Sequence, residues 1–207
     1  PNLEFNYSHT MGKYIILSDN DYNRLEQDYN INNENTITSL IVHESAHVHQ
    51  RKEFEKEATD INYKNPFKEL YKKWGYVFSD ISHFSNILKY KRQNPDADDD
   101  DIIWSYMGKY YYINCFYDKK KLSAYNVHKY AYPIEFSRGK FVYNKGEPIL
   151  LDNFKEYNDF FGDVSNNYTP NEIYADYTER LYGECVHNKT YESNEAYKIF
   201  KNNYFYK

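Results

Sequence analysis

Residues 43–47 read His43-Glu44-Ser45-Ala46-His47, an H-E-x-x-H pattern. It lies in a stretch where Ile37, Leu40, Ile41, Ala46 and Val48 recur at helical spacing. Side chains four apart on a helix stand one turn above each other on the same face. Both imidazoles can therefore reach a single tetrahedral ion, with Zn2+ the ion this donor set suits. Glu44 follows the first histidine, which places its carboxylate beside a metal-bound water rather than on the metal. There it can act as general base toward a water already acidified by zinc. The competing reading is an exposed helix that happens to carry two histidines. The small Ser45 and Ala46 between them and the apolar preceding turn favour a buried metal helix instead.

A catalytic zinc takes three protein ligands and a water, so a further ligand must come from elsewhere. His49 lies only two residues beyond His47, on another face. The stretch Thr169-Pro170-Asn171-Glu172-Ile173-Tyr174-Ala175-Asp176 offers two carboxylates four apart on one face. Glu172 would bind the metal, and Asp176 would accept the outer N–H of one ligand histidine and so fix its tautomer. The same residues also spell a helix start that needs no metal: Thr169-x-x-Glu172 is a capping box with Pro170 at the first helical position. The H-E-x-x-H upstream tips the choice toward the ligand. Glu135, in Tyr132-Pro133-Ile134-Glu135, and His83 are the alternatives, while His128 and His187 sit in no supporting pattern.

Taken together, His43-Glu44-x-x-His47 and the distant Glu172-x-x-x-Asp176 resemble the gluzincin branch of the zincin metallopeptidases. Thermolysin-like members carry N-E-x-x-x-D, and Asn171-Glu172 matches its Asn-Glu. Glu172-Ile173-Tyr174-Ala175-Asp176 is also similar to the E-F-F-A-E segment of the lethal factor and Pro-Pro endopeptidase group. There the first Glu binds zinc and a tyrosine a few residues upstream steadies the oxyanion, a role the resemblance gives to Tyr168. His47-Val48-His49-Gln50 further resembles small peptidase-like proteins of phages and other viruses. The resemblance covers the two helices alone. It implies a zincin-like fold, Zn2+ held by His43, His47 and Glu172, and hydrolysis of peptide bonds in a peptide or protein substrate. From His47 to Glu172 is 172 − 47 = 125 positions, far longer than the thermolysin-like spacer. Residues 57–165 are therefore expected as an insertion between the ligand helices, forming a lid, a substrate wall or an interaction surface.

The elements that must position these residues can be read from periodicity. Lys13–Leu17 reads as a short strand closed by the turn-forming Ser18-Asp19-Asn20-Asp21, followed by a polar loop with a turn or two of helix to Asn35. The metal helix runs from Thr36 into the charged stretch near Arg51–Lys56. Asn65-Pro66 starts a second helix, in which apolar residues from Phe67 to Leu88 keep three-and-four spacing down to Lys89, with Gly75 the weak link. Residues 93–101 read as a loop and helix start, and Ile102–Phe116 as an aromatic-rich helix. Ile134–Phe136 and Phe141–Tyr143 form a hairpin, and residues 144–148 a turn. Helices close the chain at Thr169–His187 and Ser193–Asn202. The expectation is one helix-dominated α+β domain over residues 1–207 with a small sheet.

Composition narrows the function classes. A chain of 207 residues can bury a proper core as one domain. Its 26 Lys+Arg against 31 Asp+Glu, net −5, argue against a nucleic-acid binder. Cys115 and Cys185 are too few for a disulfide framework. No apolar run approaches the roughly 20 residues of a membrane span, and no leader is visible, so no membrane association and a cytoplasmic or virion location are expected. The run Asp96–Asp101 is not an EF-hand, because Asp101 and Met107 stand where Gly and Glu belong. Lys119-Lys120-Lys121 with Tyr125 and Tyr130 reads as exposed surface. The 26 Tyr and 13 Phe suit core positions in which a hydroxyl is tethered. They also suit protein contacts, which motivates an alternative from another class: a structural or partner-binding protein, such as a virion component, that retains the fold.

Overall fold

The computed structural model describes residues 8–28, 36–92, 94, 102–117, 127–143 and 146–205. A small antiparallel hairpin, β1 (His9–Met11) and β2 (Tyr14–Ile16), precedes α1 (Asp19–Asp28). The Ser18 hydroxyl caps α1 by accepting from the Asp21 N–H at 3.1 Å. The helix that carries the H-E-x-x-H pattern is α2 (Thr36–Thr59). Arg51 ties the hairpin to it by donating to the carbonyls of Thr10 and Gly12.

The helix predicted from Asn65 stops much earlier than Lys89. α3 (Pro66–Lys73) begins as expected, with the Asn65 side chain accepting from Phe67 N–H, and Trp74 and Gly75 end it. Gly75 has φ +88, and a Cβ there would stand 2.7 Å from the Ser105 carbonyl oxygen. Only glycine fits where the chain turns this tightly against a neighbour. Beyond it lie β3 (Tyr76–Phe78) and the one-turn α4 (Ser85–Leu88).

The second correction is larger. Ile102–Phe116 is not a helix but the hairpin of β4 (Ile102–Tyr106) and β5 (Lys109–Tyr117), joined by Met107-Gly108, both at positive φ. Both faces of these strands are covered, so the sequence shows a continuous apolar run without alternation, which periodicity cannot separate from a buried helix. β6 (Val127–Ser137) pairs with β5 from Val127 to Ile134, turns through Arg138-Gly139 and pairs with β7 (Lys140–Tyr143). The hairpin read from sequence is thus present but longer. β8 (Ile149–Leu150) pairs with β6 at Tyr130 and Ala131. The sheet runs β3-β4-β5-β6-β7 with every pairing antiparallel. A 3-10 turn (Leu151–Asn153) leads to α5 (Lys155–Phe161), α6 (Pro170–His187) and α7 (Glu195–Phe205). The class is α+β. The predicted loop over residues 93–101 lies outside the described residues except for Asn94.

One face of the sheet, with Ile102, Trp104, Tyr111, Ile113, Cys115 and Ala131, packs against α3, α5, α6 and α7, and this core includes Ala46 of α2. The opposite face, with Ile103, Tyr112, Phe116 and Tyr132, is covered by Ile81, Phe84 and Ile87. Residues between α2 and α6 therefore build the core that packs those two helices together. The Trp104 indole donates to the Trp74 carbonyl and the Trp74 indole to the Ala196 carbonyl, each at 3.0 Å. Tyrosines fill this interior with tethered hydroxyls: Tyr157 donates to the Asn167 carbonyl and Tyr177 to the Phe161 carbonyl, both at 2.6 Å. Among the described residues no helix is long and apolar enough to cross a membrane.

The two cysteines should react very differently. Burial pushes the Cys115 thiol up to about 12, whereas Cys185 is exposed at the far end of α6. An alkylating reagent at neutral pH should label Cys185 alone in the native protein and both in denaturant, as read by intact mass. Rapid labelling of Cys115 in native protein would contradict this packing.

Candidate metal centre

The site forms where α2 and α6 face each other. α6 starts as its sequence dictates: Thr169 is extended at φ −139 and ψ 153, its hydroxyl accepts from the Glu172 N–H at 3.4 Å, and Pro170 opens the first turn. The cap and the ligand reading of Thr169-x-x-Glu172 are therefore compatible. The threonine caps, and the glutamate side chain reaches across to α2.

His43 Nε2 and His47 Nε2 stand 3.3 Å apart. Glu172 Oε2 lies 3.5 Å from the first and 3.7 Å from the second. All three side chains are buried. Ligand atoms about 2.0–2.1 Å from a tetrahedral zinc stand roughly 3.3–3.4 Å from one another. The observed triangle is thus nearly the size of three corners of that tetrahedron, and these residues could hold a zinc ion with little movement.

The outer atoms argue for the same use. His43 Nδ1 lies 3.2 Å from Asp176 Oδ1, with Glu179 Oε2 at 3.8 Å. His47 Nδ1 lies 2.8 Å from Gln50 Oε1. The Gln50 amide is oriented by its own partners, since its NH2 donates to Tyr71 OH at 2.9 Å and to the Asn171 carbonyl at 3.0 Å. Its oxygen must then accept from His47 Nδ1–H, so Nε2 is the ring nitrogen turned toward Glu172. Tyr71 completes the set by donating to Asn171 Oδ1 at 2.6 Å. Asp176 is held in turn by the Ser165 hydroxyl and the Asn166 N–H.

Electrostatics follow this geometry. Burial alone would depress the basicity of His43, but Asp176 and Glu172, one on each ring nitrogen, raise its pKa well above the ordinary value. Burial alone would raise Glu172, but His47 and His43 beside it hold the carboxyl well below the usual carboxylate range. Glu179 is raised by burial and by the charge of Asp176.

Glu44 is buried on α2, only 4% exposed, next to the first histidine. Tyr168 is also buried, and one Asn94 N–H donates to its hydroxyl at 2.8 Å while the other donates to Glu172 Oε1 at 2.6 Å. Asn94 thus ties the tyrosine to the outer oxygen of the glutamate. The alternatives for the third ligand lie elsewhere. Glu135 is exposed on β6 opposite Val142, and His83 bonds the Phe141 carbonyl at 2.7 Å. His49 lies beside Glu53, and His128 is exposed on β6. Sequence reasoning missed Gln50, Tyr71, Asn171 and Asn94 as supports. Gln50 had one usable signal, a polar residue one helical turn after His47. Asn94 had none.

The chain matches no protein-family model, no curated protein and no solved structure.

Proposed function

We propose that the protein is a zinc-dependent metallopeptidase with a zincin-like arrangement of ligand helices. The observation that carries this reading is the convergence of His43 Nε2, His47 Nε2 and Glu172 Oε2 into one buried triangle, with each outer imidazole nitrogen donating to its own acceptor. When bound there, zinc would supply an acidified water and a Lewis acid for a peptide carbonyl. The Glu44 carboxylate takes the proton of the attacking water and returns it to the leaving amine. The Tyr168 hydroxyl, steadied by Asn94, offers its proton to the developing oxyanion. Asp176 and Gln50 keep the two imidazoles in register, and the substrate is a peptide or protein segment.

The test is zinc content by elemental mass spectrometry on untagged protein, followed by incubation with a peptide pool read by mass spectrometry. We expect one zinc per chain, cleavage that stops when a chelator strips the metal, and cleavage restored by added zinc. A protein that takes up no zinc when it is added back would overturn the reading. Part of the aromatic richness behind the partner-binding alternative lies in the core, where Tyr71, Tyr112, Tyr157, Tyr177 and Tyr197 are fully buried.

Metal uptake should also be linked to protons. The raised pKa of His43 favours an extra proton on it in the metal-free state, and a ligand imidazole must shed it. Near neutral pH, zinc binding should release about one proton. The release should fall, and apparent affinity should level off, as pH rises past the raised His43 value. Calorimetric titration in buffers of different ionisation enthalpy measures this. Zinc uptake without proton release at neutral pH would count against a protonated His43.

A further inference from the structure

Two cations stand on either side of β5 of the sheet, near the start of α6. Lys91 bridges to Phe116 in antiparallel register, and Arg92 N–H donates to the Cys115 carbonyl, so Arg92 lies across from Cys115. On its other side Cys115 pairs with Lys129 of β6. Cross-strand partners put their side chains on the same face, so Arg92, Cys115 and Lys129 form one row. Cys115 faces the core that contains Ile173 and Tyr174 of α6. That row therefore looks toward the start of the helix that carries Glu172. The Cys115 thiol lies within electrostatic reach of Lys129, Arg92 and Glu172 together. Two residues beyond Arg92, Asn94 bonds Glu172 itself.

Neither cation is neutralised by an acid among the described residues. Lys129 Nζ donates to two neutral groups, the Ser165 carbonyl at 2.7 Å and Asn167 Oδ1 at 3.2 Å. Both side chains are half-buried, so their charges are screened less than surface charges would be. Two strand spacings separate them, roughly 10 Å. In a chain of net −5, neither cation forms an ion pair among the described residues.

We infer that Arg92 and Lys129 form an anion-selecting rim of the peptidase site, which favours peptides with a carboxylate close to the bond that is cut. This rests on the metallopeptidase reading and adds a substrate class to it. The carboxylate can be an Asp or Glu side chain or the C-terminus of a short peptide, since both present the same charge to an Arg and Lys pair. The rim acts mainly on capture, through KM, because a fixed positive field raises the local concentration of an anionic substrate.

The experiment uses the zinc-loaded full chain and four matched peptide sets: an acidic or a neutral residue near the cleaved bond, each with a free or an amidated C-terminus. Wild type should favour at least one carboxylate-bearing set by about tenfold or more in kcat/KM, and the preference should shrink as salt is raised. Amidation that removes the preference assigns it to the terminus, and preference that survives amidation assigns it to the side chain. Arg92→Gln with Lys129→Gln should bring the ratio near one through KM, and Arg92→Glu with Lys129→Glu should invert it. Glutamine at 129 can still donate to the Ser165 turn, so a folded variant is expected, and zinc content checks it. Wild type that cleaves all sets equally, or a preference unmoved in the neutral double variant, overturns the inference and leaves the peptidase reading intact. Zinc-loaded wild type that cleaves none of a broad pool removes the peptidase reading, and this inference with it.

Discussion

On the metallopeptidase reading, Glu44→Gln is expected to cut turnover by about three orders of magnitude while zinc binding is kept. The replacement has the same shape and is neutral, so it fits a position that is 4% exposed without opening a cavity. On that reading it removes the basic oxygen that would take the proton of the attacking water, and an amide cannot take up that proton. A thousandfold loss corresponds to about 4 kcal/mol of transition-state stabilisation. Zinc should stay because the ligand atoms belong to His43, His47 and Glu172, and Glu44 is not among them. The measurement is kcat on one defined peptide together with metal content of the same sample. Hydrolysis that persists at wild-type rate in this variant would show that Glu44 is not the base. Loss of zinc along with activity would instead place the Glu44 carboxylate among the metal's supports.

The part of the site that sequence reveals is the part governed by helix period. His43 and His47 are four apart, as are Glu172 and Asp176, and a helix brings such pairs to one face whatever surrounds it. The assignment of Asp176 to an outer imidazole nitrogen follows from that spacing, and the 3.2 Å approach to His43 Nδ1 agrees with it. The supports that come from other elements were illegible, because their approach depends on tertiary packing. Tyr71 reaches Gln50 from α3, and Asn94 reaches Glu172 from a stretch beside β5. Element type failed where burial overrode period. The spacing of Phe67, Leu70, Tyr71 and Trp74 is a true helix face, but its extension to Leu88 came from residues buried against the sheet in another geometry. Gly75 was the visible warning. Its positive φ and the 2.7 Å clearance to Ser105 are the physical reason for the break. In β4 and β5, cover on both faces erased the alternation that would have marked a strand, and β-branched and aromatic enrichment was the better guide.

On the metallopeptidase reading, zinc should raise the thermal midpoint by about 8–16 °C. A ligand at about a thousand times its Kd stabilises the folded state by about 4 kcal/mol, provided it binds the unfolded chain weakly. In a chain of this length each kcal/mol is worth about 2–4 °C. The size of the shift should depend on pH, and its sign follows from the two displaced groups. His43 has a folded pKa above its reference value of 6.5. The stability it contributes to the metal-free protein is present below that reference and is lost as pH rises through the raised value. Glu172 has a folded pKa below its reference value of 4.5, so its contribution is present above that reference and is lost as pH falls through the lowered value. The metal-free site is therefore most favourable between the two references and weakens above neutrality. A zinc ion held by His43 would take the place of that proton, so the loaded protein would escape that loss. The difference between loaded and stripped midpoints should widen from about pH 6 to pH 8. His47→Ala should make the midpoint insensitive to zinc at both pH values. A midpoint shift that survives in that variant would locate the stabilising metal outside the triangle of His43, His47 and Glu172.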